Sequence, residues 1–475
     1  MLVGGRFLMS KTLTLAAAPP TATALQEIAS NHPRGIAKVV LKQGKARLFK
    51  DGSPMVYSGA VAKIVGRQPP ITGDIVLVTD GTEKPIGWGL YNSVSMFCVR
   101  LMQLEDEASR DASCALDLER LLENRINAAV ALRERVGLPS AKTNAFRLVN
   151  SEGDRLSGLI VDIFGHEAVI ASSAAWVEKY KQQIKDCISK VSSVDHITWR
   201  PSIDILKEEG LDLSDSGDEK LSNSPKVAKV VENGISYLVS LEGQKTGFFA
   251  DQRENRQYIS SISEGREVLD ICCYTGGFAL NAASGGALSV TGVDSSAPAL
   301  DIARDNIVLN NLDSGRISFL KKDATHFMKS ALSKGNSWDI VILDPPKLAP
   351  HKKVLQSAAG MYRKLNSLAM QITRRGGLLM TCSCSGAMTQ SGKFLSILQE
   401  VLHPWLVERL RLYVKLEQAV IILSTLRIRR VNTSPVFYSE CYEMNPNLSA
   451  PISQQVLRAA NLSRPMNRNQ ESLRQ

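Results

Sequence analysis

The feature that most constrains the fold is a regular alternation of short apolar runs and amphipathic stretches beyond residue 226. Five runs have the length of buried strands, and the segments between them repeat Ala, Leu and Ile at helical spacing, as over 297–309. Such alternation indicates parallel strands joined by helical crossovers, with helices on both faces of the sheet. We therefore predict the α/β class, as a doubly wound domain over 226–425. The predicted strands are 267–271, 288–294, 317–320, 338–344 and 378–382.

Upstream of this domain, residues 34–105 predict a small β-barrel. Short β-rich runs alternate there with turns that contain Gly or Asp-Gly. The runs are 39–41, 60–65 and 74–78. Four basic residues cluster after the first run, and this basic segment consists of Lys42, Lys45, Arg47 and Lys50. The basic segment is either a solvated surface or a contact for a polyanion.

Between the barrel and the α/β domain, residues 106–225 predict a central α+β domain. Apolar residues at helical spacing predict helices over 116–136 and 174–191, and strand-like residues lie within 147–172. Residues 210–225 are polar and rich in Ser and Asp, which predicts an exposed linker at the end of this domain.

The two ends of the chain differ in composition from the rest. The first acidic residue is Glu27, and the residues before it include Arg6, Lys11 and several Ser and Thr. Residues 1–33 are therefore predicted to be a leader, either a chloroplast or mitochondrial transit peptide or a disordered tail. The first alternative places the protein in an organelle and the second in the cytoplasm. Residues 426–475 are rich in Ser, Asn and Arg, which predicts a disordered tail.

Charge and hydropathy narrow the class of partner. The 57 Lys and Arg residues exceed the 47 Asp and Glu residues, and the formal net charge of +10 favours a polyanion such as RNA. The longest apolar stretches, such as 419–423, are far shorter than the roughly 18 residues of a membrane-spanning helix, so no membrane partner is predicted. None of the eight cysteines forms a C-x-x-C pair, so no metal site is expected and the compartment is predicted to be reducing.

Polar residues follow the predicted strands of the α/β domain at the points where the strands end. Asp270 lies at the end of the first strand, and the turn that follows contains Tyr274, Gly276 and Gly277. Glycines at such a turn let the backbone approach a ligand at the carboxyl edge of the sheet. The turn has neither the ending of a P-loop nor the G-x-G-x-x-G spacing of a dinucleotide site. A pyrophosphate-binding site is therefore disfavoured.

Two further acids follow the second and third strands. Asp294 is placed to accept hydrogen bonds from both ribose hydroxyls of an adenosine, and Asp323 lies near the expected position of the adenine. Each acid alone is explained as a helix cap. Together with Asp270, they indicate an adenosine that carries a cationic group in place of phosphates. The pattern therefore predicts S-adenosylmethionine as the cofactor.

The ends of the fourth and fifth strands carry the remaining chemistry. The loop after the fourth strand consists of Asp344, Pro345, Pro346 and Lys347. Its two prolines make it rigid enough to hold a flat base while Asp344 accepts a hydrogen bond from that base, which predicts a substrate-binding loop. Cys384 follows the fifth strand at the open edge of the sheet, where a thiol can act as a nucleophile. Cys382 is predicted to lie inside the strand and to be inert.

These motifs resemble those of the S-adenosylmethionine-dependent rRNA large-subunit methyltransferases of the RlmI type, which form 5-methylcytosine. The resemblance covers about residues 36–400. It implies that the barrel is a PUA domain, an RNA-binding module in which the basic segment contacts RNA, and that the α/β domain is a Rossmann-like methyltransferase domain. The similar segments are 270–278, 344–347, 383–385, 241–256 and 147–162.

The resemblance also implies a reaction and the roles of residues. The Cys384 thiolate would add to carbon 6 of a flipped cytosine in RNA, and Asp344 would hold the base and stabilise the charge on its ring nitrogen. Phe249 and Arg253, in the segment 241–256, would contact the cofactor. Lys347 stands where relatives with two catalytic cysteines keep a second thiol.

The sequence departs from the family pattern and leaves alternatives open. Beyond about residue 404 the closing strands of the family are not recognisable, and bacterial members lack the leader. A methyltransferase that acts on another base or position of RNA needs no catalytic thiol, and one that acts on small molecules needs no basic barrel. If the carboxyl end disables the fold, the protein is a non-catalytic RNA-binding protein. The oligomeric state also stays open, with a homodimer as one alternative.

Overall fold

The computed structural model describes residues 24–33, 35–213, 227–241, 243, 246–348, 354–402, 410–415 and 420–425. The chain divides into two compact units. The first contains residues 1–139 and 146–225, and the second contains residues 140–145 and 226–475. The predicted leader before residue 24, the predicted linker from 214 onward and the predicted tail 426–475 lie outside the described residues.

The first unit contains a six-stranded sheet over the region predicted to be a barrel. Its strands are β1 (Ala37–Leu41), β2 (Met55–Tyr57), β3 (Val61–Val65), β4 (Ile75–Thr79), β5 (Pro85–Tyr91) and β6 (Phe97–Leu104). Their order is β2-β6-β5-β4-β1-β3, and every pair except β1–β4 is antiparallel. Val39, Leu41, Val76 and Val99 are buried in its core, because alternate residues of a strand point to one face.

A short helix, α1 (Ala24–Ser30), precedes the sheet. Leu25 and Ala29 lie four residues apart on one face of this helix, and both are buried in the core of the first unit. The folded unit therefore begins earlier than the predicted end of the leader at residue 33. A second short helix, α2 (Arg47–Lys50), carries part of the basic segment.

The remainder of the first unit is the predicted mixture of helices and strands. Its strands β7 (Ala145–Asn150), β8 (Leu159–Phe164), β9 (Glu167–Ser172) and β10 (His196–Pro201) form a sheet in the order β10-β9-β8-β7. Its helices are α3 (Glu105–Arg110), α4 (Leu118–Arg135), α5 (Ala175–Lys179), α6 (Lys181–Ser189) and α7 (Ile203–Glu208). The single helix predicted over 174–191 is two helices, because Tyr180 leaves helical geometry and its hydroxyl donates to the Gly73 carbonyl (3.1 Å).

The second unit contains a hairpin and a seven-stranded sheet. The hairpin consists of β11 (Val227–Glu232) and β12 (Ile235–Ser240). The sheet consists of β13 (Glu267–Ile271), β14 (Ser289–Asp294), β15 (Ile317–Lys321), β16 (Trp338–Leu343), β17 (Thr373–Thr381), β18 (Leu410–Lys415) and β19 (Val420–Thr425). The order is β15-β14-β13-β16-β17-β19-β18, and the pairs among β13–β17 are parallel.

Two strands close this sheet beyond residue 404. β19 pairs antiparallel with β17, and β18 pairs antiparallel with β19. Strands are therefore present in the region where the closing strands of the family are not recognisable from the sequence. The apolar run 419–423 was the sequence signal for one of them.

Two groups of helices accompany the seven-stranded sheet, as expected for a doubly wound fold. One group is α8 (Arg253–Ile262), α9 (Gly277–Ser284) and α10 (Ala297–Leu309). The other is α11 (Ala324–Ser333), α12 (Leu355–Ile372), α13 (Gly386–Gln390) and α14 (Lys393–Leu402). Leu269, Val341 and Leu343 are buried on one face of the sheet and Val268, Ile340 and Ile342 on the other, as expected for a parallel sheet covered on both faces. The predicted fold class is confirmed.

The hairpin is fixed to α10 by two asparagine side chains. The amide nitrogens of Leu238 and Ser236 donate to the Oδ1 atoms of Asn306 (2.7 Å) and Asn310 (2.8 Å), respectively. Asn310 Nδ2 also donates to the Ser236 carbonyl (2.7 Å). Because the chain leaves β12 directly into the segment 241–256, these contacts fix the starting point of that segment.

Candidate active site

Asp270, which the sequence predicts to contact the cofactor, lies beneath the turn that follows β13. Its side chain is fully buried, and Oδ2 accepts a hydrogen bond from the Ala279 amide (3.0 Å). Oδ1 has no hydrogen-bond partner among the described residues. Burial raises the pKa of Asp270 to about 8, and the negative charges of Asp344 and Asp294 act in the same direction.

The turn itself has an unusual backbone. Cys272, Tyr274 and Gly276 have φ values of 65°, 50° and 81°. A Cβ atom on Gly276 would lie 2.8 Å from Cζ of Phe319, so both the conformation and the packing require glycine there. Gly277 begins α9. Left-handed backbone of this kind at non-glycine residues is found at ligand-binding sites.

Asp294 joins this turn to the end of β14. Its Oδ2 accepts from the Tyr274 amide (2.9 Å) and its Oδ1 from the Ser296 amide (2.8 Å). The residue is half-buried, and each carboxylate oxygen can accept a second hydrogen bond. Asp323 is exposed, and its Oδ1 accepts from the His326 amide (2.8 Å) as the cap of α11. Asp323 therefore caps α11, and its predicted contact with the cofactor stays a prediction.

The segment 241–256 reaches the turn through aromatic contacts. The rings of Phe249 and Tyr274 meet edge to face, with centroids 5.4 Å apart at 88°. The Tyr274 hydroxyl donates to the Gly247 carbonyl (3.3 Å). Arg253 is half-buried and its Nε lies 3.2 Å from Oε1 of Glu254. Of the two residues predicted in this segment, the structure brings Phe249 to the turn, whereas the ion pair of Arg253 is with Glu254.

A buried ion pair that the sequence analysis missed holds this segment in place. Arg256 Nε and Nη2 lie 2.7 and 2.8 Å from the two carboxylate oxygens of Glu232, and both side chains are almost completely buried. Nη2 also donates to the Phe249 carbonyl (2.8 Å), and the guanidinium lies 4.8 Å from the Phe248 ring centroid. Burial alone would lower the pKa of Arg256, but the Glu232 carboxylate raises it above its usual range. Glu232 carried no sequence signal.

The structure brings Cys384 and the Asp344 loop together. Cys384 is exposed, and its Sγ lies 3.9 Å from the Pro345 carbonyl oxygen. Pro345 is buried, whereas Pro346 and Lys347 are exposed. Rigid prolines and an accessible thiol therefore share one edge of the sheet.

Cys382 lies one residue beyond β17, so its predicted place inside the strand is wrong by one position. Its amide still donates to the Leu343 carbonyl (2.9 Å), and its side chain is buried. Burial raises the pKa of this thiol well above its ordinary value. A buried, protonated thiol is a poor nucleophile.

Ser383 and Tyr362 support the turn that carries Cys384. Ser383 Oγ hydrogen-bonds to the buried Tyr362 hydroxyl (3.1 Å) and accepts from the Ser385 amide (3.4 Å). These contacts hold the backbone on both sides of Cys384.

The basic segment belongs to the first unit, and all four of its side chains are exposed. Lys42 Nζ donates to the Gly59 carbonyl (3.0 Å), and Lys50 Nζ pairs with Asp80 (3.1 Å). Burial would raise the pKa of Asp80, but hydrogen bonds from Thr82, Lys50 and Lys84 lower it to about 2. Asp80 therefore compensates part of the positive charge of Lys50 at neutral pH.

The residues around the turn fit S-adenosylmethionine. Asp270, Asp294 and Asp344 lie close enough for the last two to raise the pKa of the first, so a cationic group in their midst is stabilised. A phosphorylated ligand would instead be repelled. Within the described ranges, no group of three His, Cys, Asp or Glu residues could hold a metal ion, and no helix is both long and apolar enough to cross a membrane.

Comparison with known proteins agrees with this assignment. A family model for S-adenosylmethionine-dependent methyltransferases matches residues 208–416, and a PUA-like domain model matches residues 39–104. A solved structure of a protein assigned as an S-adenosylmethionine-dependent methyltransferase from Streptococcus mutans has a TM-score of 0.65 at 20% identity, covering 81% of this chain and 98% of its own. Another, assigned as a methyltransferase and complexed with SAH, has a TM-score of 0.64 at 20% identity, covering 81% and 99%. These two likenesses support the fold.

Sequence relatives are more specific. Ribosomal RNA large subunit methyltransferase I of Alteromonas mediterranea is 36% identical over 353 residues, covering 74% of this chain and 86% of the relative. The protein of the same name from Erwinia tasmaniensis is 32% identical over 355 residues, with the same coverage. The predicted family and cofactor are therefore confirmed. This chain belongs to the ribosomal RNA large subunit methyltransferase I family, and it combines a PUA-like domain with an S-adenosylmethionine-dependent methyltransferase domain.

Proposed function

We propose that this protein methylates carbon 5 of a cytosine in large-subunit rRNA through a covalent adduct with Cys384. The observation that carries the proposal is an exposed thiol beside a rigid loop: Cys384 Sγ lies 3.9 Å from the Pro345 carbonyl oxygen, directly after Asp344. A methyltransferase that acts on an exocyclic amine needs no nucleophilic thiol at this position. A cytosine ring does, because its carbon 5 is a poor nucleophile until carbon 6 is attacked.

Three steps follow from this arrangement. The Cys384 thiolate adds to carbon 6 of the cytosine, while Asp344 holds the base and stabilises the charge that develops on its ring nitrogen. S-adenosylmethionine, when bound, supplies the electrophilic methyl group that carbon 5 accepts. A base then removes the carbon 5 proton, the electron pair of that C–H bond forms the carbon 5–carbon 6 double bond, and the Cys384 thiolate leaves.

The target base must leave its stack to reach Cys384, because the thiol has to approach carbon 6 from one face of the ring. Pro345, Pro346 and Lys347 form the loop against which the extruded base is held. Pro346 and Lys347 are exposed, so they are accessible to RNA, and Lys347 supplies a positive charge for a phosphate.

Three observations support large-subunit rRNA as the substrate. The relatives are named for it, a PUA-like domain is present, and the formal net charge is +10. The exposed basic segment is the proposed contact of that domain with the phosphate backbone.

RNA that contains 5-fluorocytosine tests the covalent step. Fluorine at carbon 5 cannot leave as a proton, so elimination stalls after methyl transfer and the RNA stays attached to the protein. We expect a species that resists denaturation and that forms only with S-adenosylmethionine present. Its mass should map to the peptide that contains Cys384.

Cys382 provides the matched control for this experiment. Cys384→Ala should abolish both the trapped species and turnover, whereas Cys382→Ala should retain both because that thiol is buried. A Cys384→Ala variant that still methylates cytosine excludes the covalent mechanism. An adduct that maps to Cys382 assigns the reaction to the other thiol. Bisulfite sequencing of rRNA from cells that lack the protein would identify the nucleotide.

A further inference from the structure

Tyr362 is a fully buried residue of α12 whose hydroxyl group contacts the turn of Cys384. The Ser383 hydroxyl donates to the Tyr362 oxygen (3.1 Å), and the Leu348 amide donates to the same oxygen. A hydroxyl oxygen has two lone pairs, so it can accept both hydrogen bonds. Leu348 directly follows the loop 344–347, and Ser383 directly precedes Cys384. One oxygen atom therefore joins the proposed base-binding loop to the turn that carries the proposed nucleophile.

The position of this oxygen is fixed from within the core. The ring of Tyr362 packs edge to face against Phe394 of α14, with centroids 5.4 Å apart at 71°. Nδ2 of the buried Asn366 donates to the Tyr362 carbonyl, one turn earlier in α12 (2.8 Å). Neither contact uses the hydroxyl group. A phenylalanine at this position would therefore keep the packing of the ring and lose only the oxygen.

The turn of Cys384 has a buried serine on each side of an exposed thiol. Ser383 and Ser385 are both buried, and the Ser385 amide donates to Ser383 Oγ (3.4 Å). Cys384 is exposed, and its Sγ lies 3.9 Å from the Pro345 carbonyl oxygen. Because the core holds the turn through the two serines, their hydrogen bonds determine where the thiol lies relative to the loop.

We propose that Tyr362 is a positioning residue for methyl transfer: its oxygen fixes the distance between the Cys384 thiol and the loop that holds the target base. This inference rests on the proposed function and adds a residue that acts through the backbone on both sides of the site. Addition of a thiolate requires the reacting atoms to come within about 3–3.5 Å, and a displacement of about 1 Å can cost about 100-fold in rate. Two hydrogen bonds to one buried oxygen oppose such a displacement.

Tyr362→Phe tests the inference because it retains the ring and removes the oxygen. With saturating S-adenosylmethionine, we expect the maximal rate of adduct formation with 5-fluorocytosine RNA to fall about 10- to 100-fold. S-adenosylmethionine affinity and the RNA concentration that gives half the maximal rate should each change less than about twofold, because the lost interaction positions the reacting atoms and does not bind the ligands. Tyr237→Phe is the matched control: it removes another fully buried hydroxyl of the second unit, which accepts from Asn281 Nδ2 (2.7 Å), and should leave the maximal rate unchanged.

Alkylation of Cys384 by iodoacetamide separates the position of the thiol from its reactivity. This small reagent reaches an exposed thiol without the loop, and its rate follows the thiolate fraction. Burial raises the pKa of Tyr362, so its hydroxyl is neutral near pH 7 and the substitution changes no charge there. We expect Cys384 to be alkylated at the same rate, within about twofold, and with the same pH dependence in the wild type and in Tyr362→Phe. If alkylation falls as much as adduct formation does, Tyr362 acts on the thiol itself and the inference is overturned.

Ser383→Ala supplies a second variant that leaves Tyr362 in place. It removes the donor on the side of the turn, so it should also lower the maximal rate. The double variant should lose no more than Tyr362→Phe alone, because both substitutions act through one oxygen. If the wild type forms an adduct and both single variants form it at the wild-type rate, or if their losses multiply in the double variant, the inference is overturned while the proposed function stands. If the wild type forms no adduct although iodoacetamide alkylates its Cys384, the proposed function is overturned and this inference with it.

Discussion

The buried carboxyl group of Asp270 should make the second unit less stable as the pH rises. Its pKa is raised from 3.8 to about 8 by burial, and Oδ1 has no hydrogen-bond partner among the described residues. The folded state therefore binds this proton more tightly than the unfolded state does. The stabilisation of the folded state by this bound proton is complete below about pH 4 and is lost as the pH rises towards about 8.

The magnitude follows from the difference in pKa between the two states. A difference of about 4 units, at about 1.4 kcal/mol per unit, corresponds to a loss of at most about 6 kcal/mol in the free energy of unfolding between pH 4 and pH 8. Asp270→Asn cannot ionise, yet its side-chain oxygen can still accept from the Ala279 amide. At pH 5 we expect the free energy of unfolding of this variant to lie within about 1–3 kcal/mol of that of the wild type, because a buried polar group without a partner costs about that much. At pH 8 the variant should be more stable than the wild type.

Hydrogen exchange of the amides in β13 and β14 measures this quantity for the second unit alone. The wild type should lose protection between pH 5 and pH 8 after correction for the intrinsic exchange rate, and Asp270→Asn should not. Asp301→Asn makes the same change at an exposed residue of α10 and should behave as the wild type. Equal pH dependence of stability in the wild type and Asp270→Asn would refute the reasoning.

Three further predictions concern the cofactor, RNA and the buried ion pair. Asp294→Ala should weaken S-adenosylmethionine binding by about 1.5–3 kcal/mol, and an unchanged affinity in calorimetry of the folded variant would exclude the proposed ribose contact. Reversing the charges of the basic segment should weaken RNA binding and reduce the slope of log affinity against log salt concentration by up to about 0.7–0.9 per lost phosphate contact. If the variant keeps the slope of the wild type, the basic segment is a solvated surface that does not contact RNA. Glu232→Gln should destabilise the second unit by about 3–5 kcal/mol because Arg256 stays buried without its counter-charge. A loss below about 1 kcal/mol in urea denaturation, which is the value of an exposed ion pair, would contradict this prediction.

Local patterns were sufficient to predict the strands and the polar residues at their ends. The helix predicted over 297–309 begins and ends where α10 does. Cys384 meets the loop that begins with Asp344 because parallel strands end at one edge of the sheet. What the sequence could not predict depends on contacts between distant residues. The pairing of Glu232 with Arg256 has no local pattern, and neither has the hydrogen bond from Gln252 to Asp344.

Local patterns are ambiguous where one residue type has two explanations. An acid after a strand can contact a ligand, cap a helix or do both; Asp323 caps α11, and its contact with the cofactor stays a prediction. Helical spacing over 174–191 could not reveal the break at Tyr180, because the hydrogen bond of its hydroxyl to Gly73 is made across the fold. In both cases the deciding interaction is one that periodicity does not encode.

The attachment of the hairpin to α10 has a consequence for how the chain folds. An open strand edge is a template for pairing with other chains, and Asn306 and Asn310 close the outer edge of β12 with side chains in place of another strand. These asparagines are synthesised well after the hairpin, so a growing chain carries an open β12 edge until α10 has emerged. A fragment that stops before α10 is therefore expected to aggregate through this edge. Protection against aggregation and placement of the segment that leads to the active site depend on the same two side chains.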